Sequence, residues 1–327
     1  MTLTFLKDAR FWLLAGALAC VLAALLVPRV QLQRDVFDVL AVVDITSSMN
    51  TRDMGAGETP DSRLDAAKSA LRATLQAMPC QSRLGLALFT ERQTFLLFDP
   101  VEVCENFAAI DDSISELNWR MAWEGNSYVA KGLFSAIDLA KSLKADLIFL
   151  SDGHEAPPLP FSGIPPFEGE RGEVRGLIGG IGGHTKTPLT KYDNEGHEIG
   201  TYDTQEVPQE NRAGPPPPDA ESRPGYHPKW APFGNEVVDN GEHLAFIREP
   251  HLQELAGITG LDYVYVRSGE NLVPALSRAV KPRRVAAATD VRAYPAALTL
   301  AFLILLYGLL PVLDAIRVRP ALSHKPS

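Results

Sequence analysis

The chain has 327 residues, of which 46% are hydrophobic and 22% charged, with a formal net charge of −9. That length supplies enough apolar surface for a packed core, so global disorder is excluded. The acidic balance excludes nonspecific nucleic-acid binding, which requires clustered Lys and Arg.

Residues 11–28, FWLLAGALACVLAALLVP, carry no charge and are flanked by Lys7, Arg10, Arg29 and Arg34. At ~1.5 Å per residue such a run can just span a hydrocarbon core of ~30 Å. A transmembrane helix is expected there, following a tail over 1–10, with a cleavable leader as the alternative. A soluble domain is expected over 36–283.

The domain opens on the apolar run 37–43, FDVLAVV, the pattern of a strand buried on both faces. A polar loop follows. Residues 63–78 then place Leu64, Ala67, Leu71 and Leu75 at helical spacing behind a cap at Asp61 and Ser62. Strands at 84–89 and 94–98 read as an antiparallel hairpin through the TERQ turn, with Cys80 and Cys104 at its open end. A disulfide there would add ~3 kcal/mol in the chain-entropy model; two half-buried thiols are the alternative. Cys20 lies inside the first apolar run.

Helices are expected at 106–117 and 128–143, then a buried strand in ADLIFLSDG at 145–153 and another at 174–181. A helix at 249–258, a strand at 262–266 and a helix at 271–280 complete the alternation. Strands alternating with helices predict a doubly wound α/β fold. Its six-stranded sheet is mostly parallel with one antiparallel edge strand, flanked by two transmembrane helices. Prolines at 157–166 and a proline-rich insertion at about 184–243 are expected to be loop and not sheet. The run 293–313, AYPAALTLAFLILLYGLLPVL, is a second membrane helix, ended by Asp314, Arg317 and Arg319 in a tail over 314–327.

Two spans put both termini on one side of a membrane and the domain on the other. Basic residues flank the spans on both sides, so charge does not choose the side. The expected disulfide favours an oxidising compartment, hence a periplasmic domain at a bacterial inner membrane with cytoplasmic tails.

The chemistry gathers at strand ends. The first strand ends in Asp44-Ile45-Thr46-Ser47-Ser48, a D-x-T-x-S pattern, and another ends in Ser151-Asp152-Gly153, while Ser127 opens a helix between them. Ligands of open α/β sheets bind beyond the carboxyl ends of the strands. Hydroxyls of Thr46, Ser48 and Ser127 with carboxylates of Asp44 and Asp152 suit a hard divalent cation, Mg²⁺ first, Ca²⁺ or Mn²⁺ next. Few direct charges would leave such a cation open to a partner's carboxylate.

At these residues the sequence resembles the von Willebrand factor A (VWA) domain and its metal-ion-dependent adhesion site. Thr46 and Ser127 depart from the family's Ser and Thr but keep their hydroxyls. The two apolar runs and RLDAAKSAL resemble the membrane-anchored bacterial Bat branch. VVDITSSMNTRDM, LFTERQTFLLFDPVEVCENF and LSDGHEAPPLP are similar to the VWA proteins of methanol-dehydrogenase maturation, the MxaL family. That resemblance implies a maturation factor for calcium insertion, partnered by apo methanol dehydrogenase or another maturation factor.

Trp119, Arg120, Trp123 and Glu124 precede Ser127 and should border the cation, as partner anchors or as plugs between helix and sheet. His154 could join that rim; it and Glu155 are otherwise expected to be solvated, Asp53 to be a loop charge and Asp65 an exposed helix residue. Glycines 179–183 lack the context of a nucleotide loop, and the seven histidines lack zinc spacing. Three functions follow: a non-enzymatic tethered binding module, a general Bat-type envelope protein linked to a MoxR-type ATPase, or a metallohydrolase. The last needs a base beside the metal, for which only His154 or Glu155 offers.

Overall fold

A computed structural model of the chain describes residues 8–26, 29–55, 60–121, 126–160, 163–193, 195–204, 206–207, 218–226 and 241–313. Asp35–Arg283 form one compact unit, and Met1–Arg34 with Arg284–Ser327 form another. In chain order the elements begin with α1 (Ala9–Leu26), β1 (Arg29–Val36), β2 (Asp38–Asp44), β3 (Arg52–Met54), β4 (Asp61–Ser62) and α2 (Arg63–Ala77). Next come β5 (Arg83–Thr90), β6 (Gln93–Glu102), α3 (Phe107–Ser115), α4 (Val129–Leu143), β7 (Asp146–Ser151) and β8 (Gly176–Gly180). Short strands β9 (Thr187–Pro188), β10 (Thr190–Tyr192), β11 (Glu198–Thr201) and β12 (Leu244–Ala245) occupy the insertion. The chain closes with α5 (Glu249–Thr259), β13 (Asp262–Tyr265), α6 (Val273–Ala279), β14 (Arg283–Asp290) and α7 (Ala293–Ile304).

The domain sheet has the order β13-β8-β7-β2-β5-β6. Every neighbouring pair is parallel except β5–β6, the antiparallel hairpin at one edge. The expected fold is the observed one. Alternation along β2 explains the two layers. Val39, Ala41 and Val43 face a core built with Leu71 and Leu75 of α2, Ile110 of α3 and Leu276 of α6. Leu40 and Val42 face the other, built with Leu133 and Ile137 of α4 and Leu252 and Leu255 of α5. Ser62 caps α2 as the sequence suggests: its Oγ accepts the Asp65 amide at 3.0 Å and donates to Asp65 Oδ2 at 2.6 Å. Cys80 and Cys104 form a disulfide at the open end of the β5–β6 hairpin, with Cα atoms 5.2 Å apart.

The insertion differs from expectation. β10 and β11 pair as an antiparallel hairpin and β9 pairs with β12. Proline forbids a ladder donor only at its own position, and the segment 189–207 is free of it. Pro188 sits where β9 has a single partner strand. A ribbon of β1 with β14 was likewise not expected; β1 is exposed along all but its last residue, so no buried face marks it in the sequence. Much of the insertion, at 208–217 and 227–240, lies outside the described residues.

In the other unit, α1 has 18 residues, and a helical stretch Ala293–Leu313 has 21, both apolar enough to cross a membrane. The first begins two positions before the expected run, whose last residues, 27–28, are not described. The second carries a π-helical turn at Leu305–Leu309. The two pack through Gly16, where a Cβ would come within 3.1 Å of the Phe302 ring, so the small residue admits the aromatic one.

A tighter contact ties α4 to the sheet. At Gly132 a Cβ would lie 2.0 Å from Cε2 of Phe89, a fully buried ring packed against Phe149 at 5.7 Å between centroids. Gly132→Ala should therefore lower stability by about 1–3 kcal/mol through overpacking, although alanine favours a helix by ~1 kcal/mol. A fall in melting temperature of the solubilised chain checks this.

Candidate metal centre

Asp44 ends β2 and Ser151 ends the adjacent β7, so the two polar turns leave the sheet side by side. Asp44 is fully buried and each of its oxygens is used. Oδ1 accepts the Thr46 amide at 2.9 Å and the Thr46 hydroxyl at 2.7 Å, and Oδ2 accepts the Ser151 hydroxyl at 2.6 Å. Thr46 Oγ1 lies 3.4 Å from Ser48 Oγ, across a single 3₁₀ turn at Ser47–Asn50. The i, i+2, i+4 spacing thus brings Asp44, Thr46 and Ser48 to one point.

Asp152 is also fully buried. Its Oδ1 accepts the His154 amide at 2.9 Å and its Oδ2 accepts Nη1 of Arg63 at 2.6 Å. Burial, and then the charge of Asp152, push the Asp44 carboxyl up to about 7.

Ser127 arrives on a separate loop that is bolted by main chain. Its amide donates to Ala156 O at 2.6 Å and its carbonyl accepts the Ala156 amide at 2.7 Å, while the Tyr128 amide donates to Glu91 O. Its hydroxyl is buried and has no hydrogen-bond partner. Glu155 explains why the loop holds its place: its carboxylate accepts the Val129 and Ala130 amides, both at 2.9 Å, at the start of α4. A carboxylate there satisfies donors that the helix itself leaves free and meets the positive end of its dipole. Nε2 of His251 on α5 lies 3.0 Å from the same carboxylate.

Several expectations change. His154 and Glu155 are not solvated but buried, 4% and 8% exposed. Burial drives the His154 imidazole down to about 4, with Arg248 and Arg63 lowering it further against Asp152, so it is neutral and sits beneath the surface instead of on a rim. Trp119 is half-buried and stacks on Tyr192 of β10 at 5.0 Å between centroids, packing on the insertion instead of plugging helix to sheet. Arg120 lies against Gly196 of the same hairpin, and Arg52 pairs with its Glu198 at 3.5 Å. Trp123 and Glu124 lie outside the described residues. Asp65 is exposed as expected, but Asp53 is no loose loop charge: Nε of Arg63 donates to its Oδ1 at 3.0 Å. Arg63 itself escapes a local reading. Its one signal is position: it shares helical spacing with Ala67, Leu71 and Thr74, all buried on α2.

Whether these residues suit a divalent cation is tested by what they lack. The Ser127 hydroxyl has no partner, and the burial and neighbouring charge that raise the Asp44 carboxyl penalise its ionised form. With all groups ionised, three carboxylates (Asp44, Asp53, Asp152) against one guanidinium (Arg63) leave two negative charges, which a divalent ion neutralises. Oxygen donors alone, hydroxyl and carboxylate, match a hard cation. The residues fit.

Residues 39–154 match the family model of the von Willebrand factor type A domain, and the domain has the VWA fold. Solved structures similar to the chain include an aerotolerance-related membrane protein of Bacteroides fragilis, at 15% identity and a TM-score of 0.46, covering 74% of this chain and 98% of that one. BatB of Bacteroides thetaiotaomicron has 15% identity and a TM-score of 0.43, with 74% and 94% covered. A membrane-spanning protein of Vibrio fischeri has 17% identity and a TM-score of 0.26, with 70% and 92% covered. No curated protein matches the sequence.

The raised Asp44 carboxyl fixes a pH dependence. A cation binds the ionised form, so below about pH 7 it must displace a proton, and its affinity rises with pH up to that point. The gain in melting temperature on adding millimolar Mg²⁺ should be larger at about pH 8 than at about pH 5. Without divalent cation the sign reverses for this group. Between the unfolded value near 4 and the folded value of about 7, folded Asp44 holds more protons than unfolded, so its contribution to stability falls as pH rises.

Proposed function

We propose that the chain is a membrane-tethered binding module that grips a carboxylate of a partner protein through a divalent cation. Asp44, Thr46, Ser48, Ser127 and Asp152 would hold the ion, with Mg²⁺ the first candidate and Ca²⁺ or Mn²⁺ also suited to all-oxygen ligands. The observation that carries this reading is the buried Ser127 hydroxyl, which, like Nδ2 of Asn50 and Nδ1 of His154, has no hydrogen-bond partner, although both oxygens of Asp44 are used. When bound, the cation supplies an electrophilic point that a partner's carboxylate completes. The protein's own groups do the positioning: Ser151 and the Thr46 amide orient Asp44, and Glu155 fixes the start of α4 and with it Ser127.

Binding is favoured over catalysis by the same contacts. Of the two groups that could have served a hydrolase as base, Glu155 holds two helix amides and faces His251, and His154 is buried away from solvent. A periplasmic domain with cytoplasmic termini is supported by the Cys80–Cys104 disulfide, which persists in oxidising compartments. For the client, the MxaL-like strings support apo methanol dehydrogenase or another factor of its maturation.

The test is titration of the solubilised full chain with Mg²⁺ and Mn²⁺. Asp44→Ala and Ser48→Ala should each weaken binding by about tenfold or more, since each removes an oxygen ligand; a variant that binds as the parent does overturns the site. The client arm is capture of apo methanol dehydrogenase on the tethered protein, expected with Mg²⁺ and lost with chelator or with Asp44→Ala.

A further inference from the structure

Arg63 is among the largest fully buried side chains of the described residues, and no step of the proposed grip uses it. It opens α2, and its guanidinium points two ways: Nη1 to Asp152 Oδ2 at 2.6 Å, and Nε to Asp53 Oδ1 at 3.0 Å with Nη2 on Oδ2 of the same carboxylate. The three side chains are sealed, with 0% of Arg63, 7% of Asp53 and 0% of Asp152 exposed. Main chain makes the seal. At Gly182, in the left-handed half of conformational space with φ +147°, a Cβ would reach 3.0 Å from Arg63 Nε; at Gly183 it would reach 3.0 Å from Asp53 Oδ2. Tyr265 holds this turn down by donating its hydroxyl to Gly182 O at 3.0 Å. The glycines after β8 are therefore the lid over an ion cluster.

A buried ion cluster is a poor way to gain stability, because apolar side chains of similar volume usually do as well or better. Its placement on Asp152 gives it another use. We infer that Arg63 and Asp53 set the net charge of the cation-loaded site at zero, and so make Arg63 the residue that lets the site accept an anionic partner group. This rests on the cation reading above. With the ion in place, Asp44, Asp53 and Asp152 contribute three negative charges, Arg63 one positive and the ion two. Without the guanidinium the loaded site is negative: it holds the cation more tightly and repels a carboxylate. Without the Asp53 charge it is positive, and both preferences reverse. Unit charges a few ångströms apart at a partly buried site change binding by on the order of tenfold or more.

The experiment uses the full chain in detergent, with Mn²⁺ as the cation and acetate as the carboxylate. Mn²⁺ affinity is read from the spectrum of the free ion, and acetate affinity from its proton relaxation by bound Mn²⁺. Arg63→Gln should bind Mn²⁺ about tenfold more tightly and acetate correspondingly less; Asp53→Asn should do the opposite on both counts. Arg63→Lys, which keeps the charge, should return both constants toward those of the parent. Loss of both affinities in Arg63→Gln reports damage to the fold and leaves the decision to Asp53→Asn; no change in both charge variants, or parallel losses in Asp53→Asn, overturns the inference. If Arg63→Gln does not fold, Asp53→Asn decides alone, because it leaves the Arg63–Asp152 contact in place. A parent that takes up no Mn²⁺ sinks the cation reading itself and this inference with it, whereas normal uptake with an unmoved charge series sinks only the inference.

Discussion

Two carboxylates buried side by side are the constraint from which the rest of the domain's polar structure follows. Pairing of β2 with β7 in parallel, with Val43 opposite Leu150, places Asp44 and the Ser151–Asp152 turn at neighbouring strand ends. Neither carboxylate reaches water, and like charges in a medium of low dielectric repel strongly. Every contact nearby lowers that cost. Amides of Thr46 and His154, hydroxyls of Thr46 and Ser151, and the Arg63 guanidinium all donate toward the two aspartates. The parallel sheet is thus more than a scaffold: it creates the electrostatic problem at the crevice where such folds bind ligands.

Solving that problem ties distant segments together. Arg63 joins the first turn of α2 to the end of β7, and Asp53 joins the loop after β2 to the same guanidinium. Glu155, three residues past Asp152, joins that loop to the first turn of α4 and to His251 of α5. The Ser127–Ala156 main-chain pair closes the circuit. The insertion hairpin adds a flank, through Trp119 on Tyr192 and Arg52 on Glu198. A displacement of any one loop would therefore load the contacts of the others, since packed polar networks have few intermediate arrangements.

What the sequence discloses follows from how local each cause is. Buried parallel strands appear as unbroken apolar runs, helices as Leu71–Leu75 style periodicity, and the loop after β2 as hydroxyls within four positions of Asp44, so fold order and the D-x-T-x-S turn can be read directly. The partners of Arg63 and Glu155 cannot. Arg63 meets Asp152 across 89 positions and Glu155 meets the α4 amides across 26 and 25. A charged residue in a first helical turn or after a strand looks solvated until tertiary packing covers it. The β10–β11 hairpin is missed for a different reason: proline density over a wide window hides a proline-free segment long enough to turn at Gly196 and pair.

The cluster also bears on what kind of cation site the proposed grip would be. A site whose carboxylates had no internal counter-charge would need its metal to fold, as small structural metal domains do. Here one of the two neighbouring aspartates already has a guanidinium, the other has three donors, and two full cores of apolar side chains pack on either face of the sheet. Folding is secured by the cores, and the remaining charge deficit sits on buried carboxylates at the ends of β2 and β7. In the proposed grip, a cation would be held by the difference between a tolerable and a satisfied charge balance. Such a proposed site would load and unload without unfolding, and a partner's carboxylate completing the cation's coordination would add to the affinity of both, because two linked binding steps share their free energy.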